Sequence, residues 1–162
     1  MKIFERSGDL QVFLDSCRSS NKKVALVPTM GGLHDGHLSL VEKAQSLADV
    51  VVVSIFVNPT QFAKDEDFDS YPKTFSDDKL LLENQSVDAL FIPLKIEIYP
   101  NGSLSNYDVG EMGGLLCGTS RPAHFNGVAQ VVNRLFDIVN PNYSVFGEKD
   151  YQQLLIIKSL VE

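Results

Sequence analysis

His34 and His37 stand three positions apart in PTMGGLHDGHLSL (residues 28–40), and they are two of the three histidines in the chain. Gly31, Gly32 and Gly36 surround them. Glycines let a backbone turn sharply and approach a ligand, and a helix starting here would offer its first amides to an anion. Two imidazoles one turn apart can donate to the same anion, and a protonated ring adds charge. Such a pair suits charge that builds on a phosphate as a bond to it breaks. Two other uses stay open at this point. A metal pair would need a third ligand, and no His or Cys is an obvious one. A packed core turn would bury the rings for structure alone, although glycine-flanked strand ends are poor places for core histidines.

Two further polar clusters carry chemistry, NPTQF (58–62) and GEKDYQQ (147–153). Gln61 and Gln153 are neutral donors and acceptors, suited to orienting a hydroxyl or carboxylate. Asn58, Pro59 and Phe62 point to a shaped pocket around Gln61. Lys149 is either a counter-charge for a triphosphate or a solvated surface lysine. Asp77 and Asp78 could hold Mg²⁺ through water, and helix-dipole compensation explains them equally well. A phosphate loop without a Walker lysine argues against P-loop chemistry. No Ser or Cys nucleophile has an obvious base. Direct attack on a phosphate by a bound substrate is therefore expected, rather than a covalent enzyme intermediate.

The elements that must position these clusters alternate between α and β. Ser7 is placed to cap a helix carrying Leu10, Phe13, Leu14 and Cys17 on one face. KVALVP (23–28) reads as a buried strand, Leu40, Val41, Ala44, Leu47 and Ala48 mark a helix, and DVVVVSIFVNP (49–59) has the look of a central parallel strand. A βαβ unit with a right-handed crossover is the natural reading. Residues 58–75 form a long polar loop, SDDKLLLENQS reads as a short helix opened by Ser76, and VDALFIP reads as a third strand. Residues 95–120 look irregular. Helical periodicity returns at 124 and ends at Pro141, YSVFG (143–147) reads as a fourth strand, and EKDYQQLLIIKSLVE begins a last helix. The predicted fold is α/β, a Rossmann-like open, mainly parallel sheet with helices on both faces. In such sheets ligands bind beyond the carboxyl ends of the strands, where all three polar clusters fall.

Composition narrows the partners. The 162 residues suit one domain, alone or within something larger. A net charge of −7 without a block of Lys or Arg argues against nucleic acid, though not against a small anionic ligand. Cys17 and Cys117 are far apart with no CxxC companion, so neither a disulfide framework nor a thiolate metal site is expected. The N-terminus has no signal-peptide apolar core, and no apolar run approaches the roughly 20 residues of a membrane helix. A soluble cytoplasmic protein with no membrane partner is expected.

Together PTMGGLHDGHLSLV, VSIFVNPTQF, RPAHFNGV and FGEKDYQQL resemble the pantothenate synthetase (pantoate–β-alanine ligase) family in order and spacing. The HxGH element alone marks only the wider HxGH nucleotidyltransferase superfamily, shared with class I aminoacyl-tRNA synthetases. The FVNPTQF and GEKDYQQL elements are much more specific. The resemblance runs from Lys23 to Glu162, and Gly32 and Asp35 replace the Ala and Glu usual at those places.

The resemblance implies a two-step ligase in coenzyme A precursor synthesis. Pantoate attacks the α-phosphate of ATP, with Mg²⁺, giving pantoyl adenylate and pyrophosphate. β-Alanine then displaces AMP to give pantothenate. It assigns Met30, Gly31, Gly32, Leu33, His34, Asp35, Gly36 and His37 to ATP, with the two histidines on the phosphates and His37 as proton donor. It assigns Gly147, Glu148, Lys149 and Asp150 to the nucleotide, with Lys149 joining His34 and His37 in catalysis. Gln61 and Gln153, with Asn58, fall to the pantoate pocket, Gln61 also lying near the β-alanine position. The resemblance names no ligand for the metal, and Asp77 and Asp78 stay the candidates on their own chemistry. His124 and Arg121 could serve a subunit contact or the phosphate end, and a homodimer is implied. Family members carry a Met-Ser-Ser-Arg element and a closing C-terminal domain after the point matching Glu162. Residues 1–162 are thus expected to be the N-terminal nucleotide-binding domain, with little or no activity by themselves. Two other functions stay open: a nucleotidyltransferase with another acceptor, and a non-catalytic nucleotide-binding or dimerisation module.

Overall fold

Val50, Val51, Val52 and Val53 are four consecutive β-branched residues, and each is at most 2% exposed. A strand alternates its side chains between two faces, so such a run demands cover on both. The computed structural model describes residues 1–62, 74–102, 109–114, 119 and 124–161. Its elements are β1 (Lys2–Phe4), α1 (Ser7–Ser19), β2 (Val24–Thr29), α2 (Asp35–Gln45), β3 (Val50–Ile55), α3 (Phe75–Asn84), β4 (Ala89–Phe91), α4 (Lys95–Ile98), α5 (His124–Val139), β5 (Tyr143–Ser144) and α6 (Tyr151–Ser159). Single 3₁₀ turns occupy Pro59–Gln61, Glu111–Gly114 and Glu148–Asp150.

The five strands form one parallel sheet in the order β1-β4-β3-β2-β5. Alternation then sorts the core. Val24, Leu26, Val50 and Val52 face Leu10 and Leu14 of α1 and Val131 and Leu135 of α5. Ala25, Val27, Val51 and Val53 face Val41 and Ala44 of α2 and Leu82 of α3. Both faces are dry, as the unbroken apolar pattern of β2 and β3 requires. Helix α6 packs on α5 through Ile156 and Ile157.

The helices after β2 and β5, two adjacent strands, leave toward different faces: α2 covers one face, and α6 joins α5 on the other. Ligand crevices open at such switch points.

Several expectations need correction. β1 escapes the sequence pattern because it is three residues long and its first two are exposed. The stretch after β4 is not wholly irregular, since α4 lies in it. β5 stops at Ser144 rather than Gly147, and α3 starts at Phe75 behind Thr74. Ser7 is the first residue of α1 and not its cap. Its N–H donates to Glu97 Oε2 of α4 at 3.1 Å, and its hydroxyl donates to the same oxygen. The cap comes from a helix the sequence does not reveal. Cys117, Arg121 and most of the 58–75 loop lie outside the described residues. Among the described residues no helix is long and apolar enough to cross a membrane.

Candidate functional site

The loop that leaves β2 is shaped by two glycines and held by one carboxylate. Gly31 and Gly32 have φ of 84° and 64°, left-handed values that cost a side chain energy. A Cβ on Gly31 would also meet Asp78 Oδ2 at 3.1 Å. Asp78, in the first turn of α3, is 2% exposed. Its Oδ2 accepts the Gly32 N–H at 3.0 Å, and its Oδ1 accepts the Leu33 N–H at 2.8 Å. Thr74 adds its hydroxyl at 3.2 Å. Thr29 makes a second tie, donating to the Ser54 carbonyl at 2.8 Å and accepting the Gly31 N–H at 3.2 Å.

His34 caps α2. Its Nδ1 accepts the Gly36 N–H at 3.1 Å. An accepting Nδ1 leaves the ring proton on Nε2, which is the group free to donate outward. The ring lies so close over Gly36 that a Cβ there would come within 2.8 Å of His34 Cε1. His37 follows one turn later, with the two ring centroids 4.3 Å apart. It is half-buried, and its Nδ1 is enclosed without a hydrogen-bond partner among the described residues. Burial holds its pKa below the usual 6.5; the neighbouring His34 charge pushes the same way, and Asp78 pulls against both. His37 is therefore mostly neutral at neutral pH and offers an imidazole rather than an imidazolium.

These contacts correct part of the sequence reading. The amides of Gly32, Leu33 and Gly36 are engaged by Asp78 and His34, so they do not form an open phosphate cradle. Gly36 makes room for the His34 ring. Asp77 and Asp78 do not act as a pair. Asp77 is exposed, while Asp78 is buried with both oxygens bonded to the loop. Among the described residues no group of three His, Cys, Asp or Glu is placed to hold a metal ion. Asp77 and Asp78 therefore do not present two carboxylates to one metal ion.

Beyond the strand ends lies a cleft of about 190 Å³. Met30 and His37 border it from the β2 side, Asn58 and Gln61 from the turn after β3, and Asp150 and Gln153 from beyond β5. Val128, Val132 and Leu135 of α5 give it an apolar wall. The three polar clusters seen in the sequence do converge, each through part of its residues. Lys149 is exposed beside Asp150, and neither it nor Gly147 and Glu148 lines the cleft. Lys149 makes no ion pair among the described residues.

Asn58 anchors the turn after β3. It is 1% exposed, and both ends of its amide are used. Oδ1 accepts the Thr60 N–H at 3.1 Å and the Thr60 hydroxyl at 2.9 Å. Nδ2 donates to the Gly127 carbonyl and to Gln61 Oε1, each at 3.1 Å. A backbone donor on one side and a backbone acceptor on the other define which way the Asn58 amide faces. Gln61 must then turn its oxygen to Asn58 and its NH₂ toward Met30. Asn58 thus sets the orientation of Gln61 at the edge of the cleft that both residues border.

Three supports are not visible in the sequence pattern. His124 Nδ1 bonds the Gln61 carbonyl at 2.8 Å, which ties α5 to the turn. Gly127 lies against Thr60, where a Cβ would meet backbone atoms at 2.8 and 2.9 Å. A glycine inside an otherwise apolar helix is the available signal for that close approach. Tyr99, beyond α4, reaches Asn58 Oδ1 with its hydroxyl.

The chain matches the family model described as pantoate-beta-alanine ligase over residues 2–162. It is 51% identical over 162 residues to the pantothenate synthetase of Vesicomyosocius okutanii subsp. Calyptogena okutanii (strain HA), covering 100% of this chain and 57% of that protein. It is 50% identical over 160 residues to that of Aquifex aeolicus (strain VF5), covering 99% and 57%. Among solved structures, the pantoate-beta-alanine ligase of Francisella tularensis, complexed with Beta-gamma ATP and beta-alanine, aligns with a TM-score of 0.93 and 44% identity, over 99% of this chain and 62% of that one. The pantothenate synthetase of Thermus thermophilus aligns at 0.90 and 44%, over 99% and 57%. The chain spans less than two thirds of the length of these relatives.

Asp78→Asn puts an NH₂ against a backbone N–H that an oxygen now accepts. The variant should lose roughly 2–3 kcal/mol in urea unfolding, and unchanged stability would refute the strut. For His37, a histidine Cε1–H titration should give an apparent pKa below 6.5. His34→Gln should raise it, because the like charge is gone. The sign for stability follows. The unfolded chain binds the proton more readily, so the His37 contribution is complete above 6.5 and is lost as pH falls from there toward the folded value. A His37 titration above 6.5 would contradict this environment.

Proposed function

The chain belongs to the pantoate–β-alanine ligase family, and from that premise we propose that it binds ATP and pantoate at the cleft beyond β2, β3 and β5. In this reading it is the nucleotide-binding domain of an enzyme that joins pantoate to β-alanine. The observation that carries the proposal is the meeting of His37, Gln61 and Gln153 on one cleft from three separate strand ends.

The cleft's 190 Å³ is small beside the roughly 300–1,000 Å³ of pockets that enclose a drug-sized ligand. It suits a compact branched hydroxy acid. Valines and Leu135 of α5 would pack against the methyl groups of pantoate, while the Gln61 NH₂ and the Gln153 amide would hold its hydroxyl and carboxylate oxygens. ATP, being larger, would lie across the rim with its phosphates at His34 and His37 and its tail beside Glu148–Asp150. Lys149 is long enough to swing toward those phosphates, and Asp150 suits a ribose hydroxyl better than a phosphate.

The chemistry then needs position and charge stabilisation more than a nucleophile from the protein. A pantoate carboxylate oxygen attacks the α-phosphorus, the bond to the bridging oxygen breaks, and pyrophosphate leaves with that electron pair. Nε2–H of each imidazole donates to the oxygens that gain charge. The amine of β-alanine next attacks the acyl carbon, AMP leaves, and the amine gives up a proton. Mg²⁺ would arrive with the phosphates of the nucleotide, its usual partners, and no step above is routed through it.

Titration calorimetry with ATP and then pantoate tests the proposal. The expected result is binding of both, with His37→Ala weakening ATP on the order of tenfold, one charge-assisted hydrogen bond's worth. ATP affinity should also rise between about pH 8 and about pH 6, because phosphate favours the charged form of a His37 that is neutral when free. Indifference of ATP binding to His37→Ala would favour a different role for the cleft.

A further inference from the structure

Among the described residues, Tyr99 is a buried titratable side chain near the cleft that the proposed chemistry does not use. It is 3% exposed, packed in the α1–α5 core with its ring 6.2 Å from that of Phe56. Its hydroxyl touches Asn58 Oδ1 and lies 3.0 Å from Thr60 Oγ1. Thr60 is not among the residues that line the cleft, and Asn58 borders it with its amide already bonded to Thr60, Gly127 and Gln61. Asn58 passes the constraint on, since its Nδ2 holds Gln61 Oε1. The order is therefore Tyr99 hydroxyl, Asn58 amide, Gln61 amide, cleft.

We propose that Tyr99 is a positioning residue for the acid substrate, acting through Asn58 to aim the Gln61 NH₂ into the cleft. The inference rests on the reading of Gln61 as a pantoate contact. A tyrosine hydroxyl donates one proton, and the Asn58 oxygen is the acceptor nearest to it. Burial raises the Tyr99 pKa, more than the Thr60 hydrogen bond lowers it. The hydroxyl thus stays protonated and remains a donor over the ordinary assay range. Hydrogen bonds in such a chain polarise one another, so the Tyr99 donation strengthens the hold of Asn58 on Thr60 and Gln61. Without it Asn58 keeps its backbone partners, but its amide plane is free to tilt, and the Gln61 NH₂ tilts with it. The histidine end of the cleft hangs from Asp78 and Thr29 instead, and meets this chain of bonds where the Gln61 NH₂ contacts Met30 Sδ.

That separation makes the proposal testable. Tyr99→Phe removes one oxygen and keeps the ring in the core. Pantoate affinity, by calorimetry on the folded chain, should fall five- to tenfold while ATP affinity stays within twofold. In a Gln61→Ala background the same substitution should have no further effect on pantoate, because the residue it acts through is gone. Thr60→Val, which removes the hydroxyl shared with Tyr99, should give a smaller selective loss and serves if Tyr99→Phe does not fold. Unchanged pantoate affinity in Tyr99→Phe overturns the relay alone. So does an equal loss for ATP and pantoate, which marks a merely structural tyrosine. Wild-type protein that binds no pantoate, or Gln61→Ala that binds it as well as wild type, overturns the Gln61 reading and the relay with it.

Discussion

The carboxylate of Asp78 closes the histidine loop from beneath. Two amides of a left-handed glycine turn would otherwise sit in a half-buried place without partners, at a cost of about 1–3 kcal/mol each. One side chain from the start of α3 satisfies both. With the loop held there, α2 begins at Asp35 behind its His34 cap, and His37 follows one turn on at the edge of the cleft. The same carboxylate opposes the depression of the His37 pKa. A residue that never reaches the cleft thus influences the position and the charge of one that does.

The two ends of the cleft are built by different means. At one end, imidazoles stand on a helix terminus braced by a carboxylate. At the other, a neutral amide is aimed by a second, buried amide. The first arrangement handles charge that comes and goes, since a histidine can gain a proton as an anion arrives. The second handles shape and direction, since a glutamine amide carries no net charge and its orientation is set by what it bonds.

How much of this is legible depends on sequence distance. Val24–Val27 and Val50–Val53 announce the central strands because their pattern is local and unbroken. The three polar clusters fall at strand ends by a rule that needs only the order of elements. Asp78 misleads because its position at a helix start already has a sufficient local explanation, whereas its partners lie 45 and 46 residues away. The anchoring role of Asn58 is hidden for the same reason, its defining acceptor being 69 residues on. Gly36 suggests space for a phosphate, but the ring of its neighbour fills that space. Short elements such as α4 have too few residues to show a period, and so Glu97 and Tyr99 come without warning.

The contact of Gly127 with the Thr60 backbone ties together pieces of chain that lie far apart in sequence. The turn at Pro59–Gln61 follows β3 directly, yet it packs against a helix from the far side of the sequence, with no helix side chain intervening at Gly127. Closing so long a loop costs entropy that local contacts do not return. The sheet can form around β2 and β3 before α5 arrives, but the pocket wall cannot. The cleft's apolar wall therefore exists only where α5 is docked, because Val128, Val132 and Leu135 supply it, and the helix that shuts the core is also the one that shapes the site.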